Sequence, residues 1–253
     1  MSRLVWPAAL ILVALVVRAA RSADPRRLDL SAELARPSGS HPFGCGEGGV
    51  DLLALSSEAL LRGMALAAVV AALALAIGTS LGAWAGLRGG STARHVQRMC
   101  DFVQAFPSFV VALGVLAAIP RPTRVHVAVV LLATAWAPFA RLALSELRVV
   151  RGLQYVEAAR ALGAPAHRVL VRHAIPATLP VARAQLGSSA SALLVADAAL
   201  SFLGLGPSDG VALGALIDQG VGASLRAPHV LLVGTGALCV GALVLQAIAD
   251  PKR

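Results

Sequence analysis

Met64-Ala65-Leu66-Ala67-Ala68-Val69-Val70-Ala71-Ala72-Leu73-Ala74-Leu75-Ala76-Ile77-Gly78-Thr79-Ser80-Leu81-Gly82 runs without a single charge. An apolar stretch of roughly 20 residues is what a helix needs to cross the hydrocarbon core of a bilayer. This stretch belongs to a span of about 60–87, and five others resemble it, near 4–20, 102–119, 125–144, 186–205 and 229–248. Each is expected to be helical, because lipid offers no partner to an unpaired peptide group. The expected fold is therefore all-α, a polytopic transmembrane bundle of about six helices. Composition agrees: 57% hydrophobic residues against 14% charged, with a mean hydropathy of +0.77, exclude a soluble domain.

Several features inside the spans carry meaning. Gly78, Gly82 and Gly86 repeat at four-residue spacing, so one face of the second span lets another helix approach closely. Phe106-Pro107 and Ala137-Pro138 predict bends in the third and fourth spans, where a proline leaves a carbonyl without its donor. Asp197 lies within the fifth span, and an ionisable group at that depth faces the bundle interior or a water-filled cavity. Two readings of it stay open: with Ser201 it lines a translocation path, or it holds a helix–helix contact together.

Charge sets the orientation. The net charge is +9, but the basic residues are dispersed between apolar spans without the aromatic interleaving or motif of a nucleic-acid site, so no nucleic-acid partner is expected. Placing both termini in the cytoplasm puts Arg88, Arg94, Arg98, Arg141, Arg148, Arg151, Arg160, Arg168, Arg172, Arg183, Lys252 and Arg253 inside, as the excess of basic residues in cytoplasmic loops requires. Arg18, Arg21, Arg26, Arg27 and Arg36 oppose that placement, and the rich 141–183 region decides it. Residues 1–21 read as a signal-anchor helix rather than a cleaved leader. Residues 22–58 form an external loop segment rich in Gly, Pro and charge, read as packed on the rim of the bundle. Cys45, Cys100 and Cys239 are too scattered for a disulfide framework or a metal site, and no metal or cofactor is expected.

Within the remaining portion, 59–250, the stretch Tyr155-Val156-Glu157-Ala158-Ala159-Arg160-Ala161-Leu162-Gly163-Ala164-Pro165 stands apart. Good helix formers end at Gly163, which accepts the left-handed conformation of a helix stop, and Pro165 suits the first turn of a second helix. That second helix carries His167, Arg168, Arg172 and His173, with Pro176 and Pro180 expected to break it. A basic hairpin over 146–180, where a tight loop would suffice, reads as a docking device for a cytoplasmic partner. No catalytic residues are assigned. Lys252 is the only lysine, so a phosphate loop of the G-x-x-x-x-G-K-[ST] kind is absent, and neither G-x-S-x-G nor H-E-x-x-H occurs.

The hairpin resembles the EAA signature of ABC importer permeases, with Glu157, Ala158, Ala159, Gly163, Ile175 and Pro176 in its positions. Together with Phe106-Pro107-Ser108, Arg141 and the Asp197-to-Gly206 run, the chain is similar to dipeptide/oligopeptide/nickel permeases, in particular their C-type subunit. It departs from them in the external loop, where Gly44-Cys45-Gly46 and Gly49-Val50-Asp51 stand for G-T-D and G-R-D. The resemblance implies an ABC importer type I permease fold in a bacterial inner membrane and an EAA helix pair that couples to a cytoplasmic ATPase. It further implies two ATPase subunits, a second homologous permease and an external substrate-binding protein. The ATP hydrolysis would belong to the ATPases, not to this chain. The cargo it implies is a dipeptide, an oligopeptide or nickel. The rival from the residues alone is a proton-coupled secondary transporter using Asp197.

Overall fold

The computed structural model describes residues 28–150, 154, 168, 175–208 and 211–249. Among these are seven α-helices: α1 (Leu52–Arg88), α2 (Gly90–Ala105), α3 (Ser108–Ala117), α4 (Arg124–Val150), α5 (Ile175–Phe202), α6 (Leu213–Gly222) and α7 (Pro228–Ala249). The first predicted span, 4–20, lies outside the described residues.

Helix α1 is the axis of the molecule. At ~1.5 Å per residue it is about 55 Å long, well beyond the ~30 Å of a bilayer core. It starts inside the stretch read as external loop, because Asp51 caps it: Oδ1 accepts from the Leu53 and Ala54 amides at 2.9 and 3.3 Å, and Oδ2 meets His41 Nδ1 at 3.1 Å. A side-chain acceptor at that position satisfies amides the helix itself cannot. Gly89, at φ 65°, ends it.

The glycine face of α1 packs on α4. A Cβ at Gly78 would stand 2.4 Å from the Trp136 carbonyl oxygen, one at Gly82 2.1 Å from that of Ala140, and one at Gly86 2.5 Å from Leu147 Cβ. The paired numbers rise together, so the two helices run parallel at backbone contact, as the small-residue repeat predicted.

Among the described residues three helices are long and apolar enough to cross a membrane, α1, α4 and α7, or four if the bent α2–α3 pair is one span. The bend predicted at Phe106-Pro107 is present: α2 and α3 meet there at 70°, so the third span is a bent pair that begins before 102. Phe106 is extended (φ −99°, ψ 138°), the conformation that a following proline imposes. Pro138, by contrast, lies inside the single helix α4. The fifth span is helix α5, which reaches back to Ile175 and stops at Phe202. Its Gln185, Ser188, Ser189, Ser191 and Asp197 dilute the apolar residues, so it falls outside that length-and-hydropathy class.

Two ends can be distinguished. At one, the 28–51 segment folds over the starts of α1 and α7: Cys45 is fully buried, its amide bonds to the Ala35 carbonyl at 3.0 Å, and Gly44 abuts the His229 ring. Residues 28–51 thus pack on the rim of the bundle, while 52–58, read as part of the same loop, are the first turns of α1. No group of three or more His, Cys, Asp or Glu able to hold a metal occurs among the described residues. The same end holds the turn into α4, where Ser208 N bonds to Pro122 O at 3.1 Å and Arg124 Nη2 to Val211 O at 3.0 Å. The ends of α1, α4 and α7 and the start of α5 lie at the opposite end. The main core joins α1, α3, α4, α5 and α7 through Val70, Leu116, Val127, Leu194 and Val244.

Candidate functional site

The sequence pointed to two sites, the hairpin and Asp197. Of the hairpin, Glu157, Ala158, Ala159 and Gly163 lie outside the described residues. Gln154 and Arg168 are helical and exposed. Ile175 and Pro176 are the first two residues of α5 as described, and Pro176 is exposed. Pro176 and Pro180, expected to break the second helix of the hairpin, both lie within Ile175–Phe202; the helix expected before them lies outside the described residues. The segment between Val150 and Ile175 thus leaves and re-enters the bundle at the end opposite residues 28–51.

Asp197 and Ser201 share one face of α5, a turn apart, and are buried at 7% and 6% exposure. Sequence reading missed the glycines on α1, α6 and α7 that lie against this stretch of α5. A Cβ at Gly63 of α1 would sit 2.9 Å from Leu194 Cδ1 and 3.7 Å from Asp197 Oδ2; one at Gly214 of α6 would lie 1.8 Å from the Ala198 carbonyl oxygen; one at Gly241 of α7 would lie 2.5 Å from Leu60 and 3.0 Å from Leu194. These isolated glycines carry no repeat, so no spacing announced them. Asp197 faces the bundle interior, as its depth required.

Below Ser201, the chain turns out of α5 through Gly204 (φ 76°). Leu205 N bonds to Leu200 O at 2.9 Å and Gly204 N to Ser201 O at 3.2 Å, while Leu205 packs on the cluster containing Leu200. This is the paired-bond stop that a glycine after a helix end permits. Gly206 then closes over Ser201, whose Oγ would be 2.4 Å from a Cβ there; the Oγ is buried without a hydrogen bond among the described residues.

Two concavities open on the helix surfaces. A crevice of about 460 Å³ lies between α1 and α7 under Pro42 and Phe43, lined by Leu60, Met64, Val240 and Val244. A groove of about 710 Å³ runs between α1 and α4, with Arg62 and Arg124 at one end and Val69, Leu73 and Val129 along it. Asp197 and Ser201 line neither. Arg62 also pairs with Glu58 one turn earlier, itself buried.

A bundle of membrane-length helices, packed through glycines and interrupted by a basic segment at one end, is that of a helical membrane permease. Residues 78–252 match the family described as binding-protein-dependent transport system inner membrane component, and the chain belongs to that family. It is 34% identical over 203 residues to the Probable D,D-dipeptide transport system permease protein DdpC of Escherichia coli K12, covering 78% of this chain and 66% of that protein. It is 29% identical over 208 residues to the oligopeptide transport system permease protein OppC of Mycobacterium tuberculosis H37Rv, covering 81% and 71%. To the glutathione transport system permease protein GsiD of Pectobacterium atrosepticum it is 28% identical over 218 residues, covering 86% and 71%. The chain is accordingly a multi-pass inner-membrane component of a transport system, and the relatives it matches are named as permease proteins rather than enzymes.

Proposed function

We propose that this chain is one permease half of an ATP-driven importer of small peptides, and that it receives the motion of a separate cytoplasmic ATPase through residues 146–180. A second homologous permease completes the pathway, two ATPase subunits power it and an external binding protein delivers the cargo. The observation that carries this reading is the Glu157-Ala158-Ala159 and Gly163 pattern in a basic segment that departs from α4 and returns to α5 opposite the 28–51 loop. Both termini are then cytoplasmic, with residues 1–21 as the first membrane helix, 22–58 external and 59–250 as the permease bundle. The relatives named for D,D-dipeptide, oligopeptide and glutathione favour a peptide over nickel as cargo.

Within this scheme Glu157 accepts hydrogen bonds or pairs with a base at the ATPase surface, and Ala158 and Ala159 keep the helix slim enough for a groove. Gly163 provides the turn that a side chain would obstruct, and Ile175-Pro176 lead into α5. Asp197 and Ser201 belong to the wall of the pathway, covered in the packed bundle and reached when the helices separate. The test is direct. Glu157→Lys or Gly163→Val should abolish peptide uptake in reconstituted vesicles while the protein still inserts and co-purifies with its permease partner; normal uptake by both would refute the coupling role. Uptake driven by a pH gradient without ATP would support the secondary transporter instead, a reading the family does not favour.

A further inference from the structure

Helix α2 is attached to the bundle in two different ways. Ala93, Val96 and Cys100 bury against Ala85 of α1 and Ala137, Ala140 and Leu144 of α4, in a cluster of their own. Helix α3, its continuation, packs elsewhere, through Ala112 and Leu116 in the main core. Beside the small cluster a polar ladder follows α4. Arg148 Nη2 donates to Gln97 Oε1, Arg141 Nη2 pairs with Asp101 Oδ1 at 3.1 Å and Arg141 Nη1 donates to Gln104 Oε1 at 3.4 Å. Positions rise along α2 as they fall along α4, so the helices are antiparallel and the ladder covers about the last 10 Å of α4 before its end. Two residues beyond Gln104 the chain breaks at Phe106-Pro107 and turns through 70°. The arm thus packs on α1 and α4, is tied by polar contacts to α4 alone, and joins α3 by a two-residue link whose Phe106 is exposed.

We infer that Arg141 and Arg148 are positioning residues that make α2 follow the end of α4, so that a displacement entering at 146–180 passes through Phe106-Pro107 to α3. This rests on the coupling reading above. A single exposed ion pair contributes little. Here one guanidinium spans a carboxylate and an amide, a second repeats the contact two turns on, and an apolar cluster lies alongside; a planar fork offers a separate nitrogen to each acceptor, where an ammonium offers one nitrogen to both.

The experiment places spin labels on exposed positions of the importer, purified with the subunits that accompany it, after its native cysteines are replaced by alanine. Distances are compared without nucleotide and with ATP trapped by vanadate. The Met99→Cys/Val149→Cys distance should stay fixed, whereas Met99→Cys/Val110→Cys should shift across the link. Arg141→Asp should broaden the first distribution and remove the shift in the second, Arg141→Lys should do so in part, and adding Asp101→Arg to Arg141→Asp should restore both. If Gln154→Cys moves against Val129→Cys on trapping while the Met99–Val110 pair does not, coupling stands and this inference falls. Undisturbed distances in Arg141→Asp would overturn it equally. If Gln154 does not respond at all, the coupling reading itself fails and takes the inference with it.

Discussion

Gly82 meets the Ala140 carbonyl oxygen at a distance no Cβ could share, so Gly82→Val must push α1 and α4 apart; overpacking of this kind costs about 1–3 kcal/mol. A lowered thermal midpoint in detergent, with Gly114→Ala as an open-space control, would check it. Gly204→Ala, at φ 76°, should cost about 1–2 kcal/mol through left-handed strain alone, since nothing crowds that position. Asp51→Ala removes a cap that holds two amides and the His41 contact, and about 1 kcal/mol should go with it, measured as a drop in the same midpoint. The repeat of Gly78, Gly82 and Gly86 was legible in the sequence because its period matches a helix face. Gly63, Gly214 and Gly241 were not, since each acts alone and its meaning lies in what approaches it from another helix. Asp197 was legible as a residue facing inward, but its neighbour Gly63 on α1 was not.

At the scale of elements, hydropathy located α1, α4 and α7 because each is a long apolar run with room for a full crossing. It placed a span over 102–119 with a bend at Phe106-Pro107; the part before the bend belongs to α2, where Met99 and Phe102 are exposed on the side opposite Gln97, Asp101 and Gln104. Two prolines with the same local signature behave differently for a physical reason. Pro107 follows a residue driven into extended backbone and has a polar helix before it, whereas Pro138 is held between Ala137, Phe139 and Ala140, all fully buried, where packing on α1 sustains the helix despite the lost bond. Replacing Pro107 with alanine should therefore straighten the α2–α3 junction more readily than Pro138→Ala alters α4. Labels at Phe102 and Val110 would register this as a longer distance in Pro107→Ala.

The whole molecule is polar along its long axis. One end carries the 28–51 loop, the start of α1 and the short helix α6; the other carries the ends of α1, α4 and α7, with Arg88 stacked on Trp84 at 4.6 Å and Arg141 and Arg148 on α4. Apolar side chains left exposed on α1 and α4, among them Val69, Leu73, Val125 and Val129, are what a chain surrounded by lipid and a second permease would present. On the proposed coupling, force enters from the cytoplasm through the segment between α4 and α5. A cysteine introduced at Arg160, with Gly39→Cys as the outer reference, should resist a membrane-impermeant maleimide in intact cells and react in inside-out vesicles, while Gly39→Cys shows the reverse. Labelling of position 160 from outside intact cells would contradict the account.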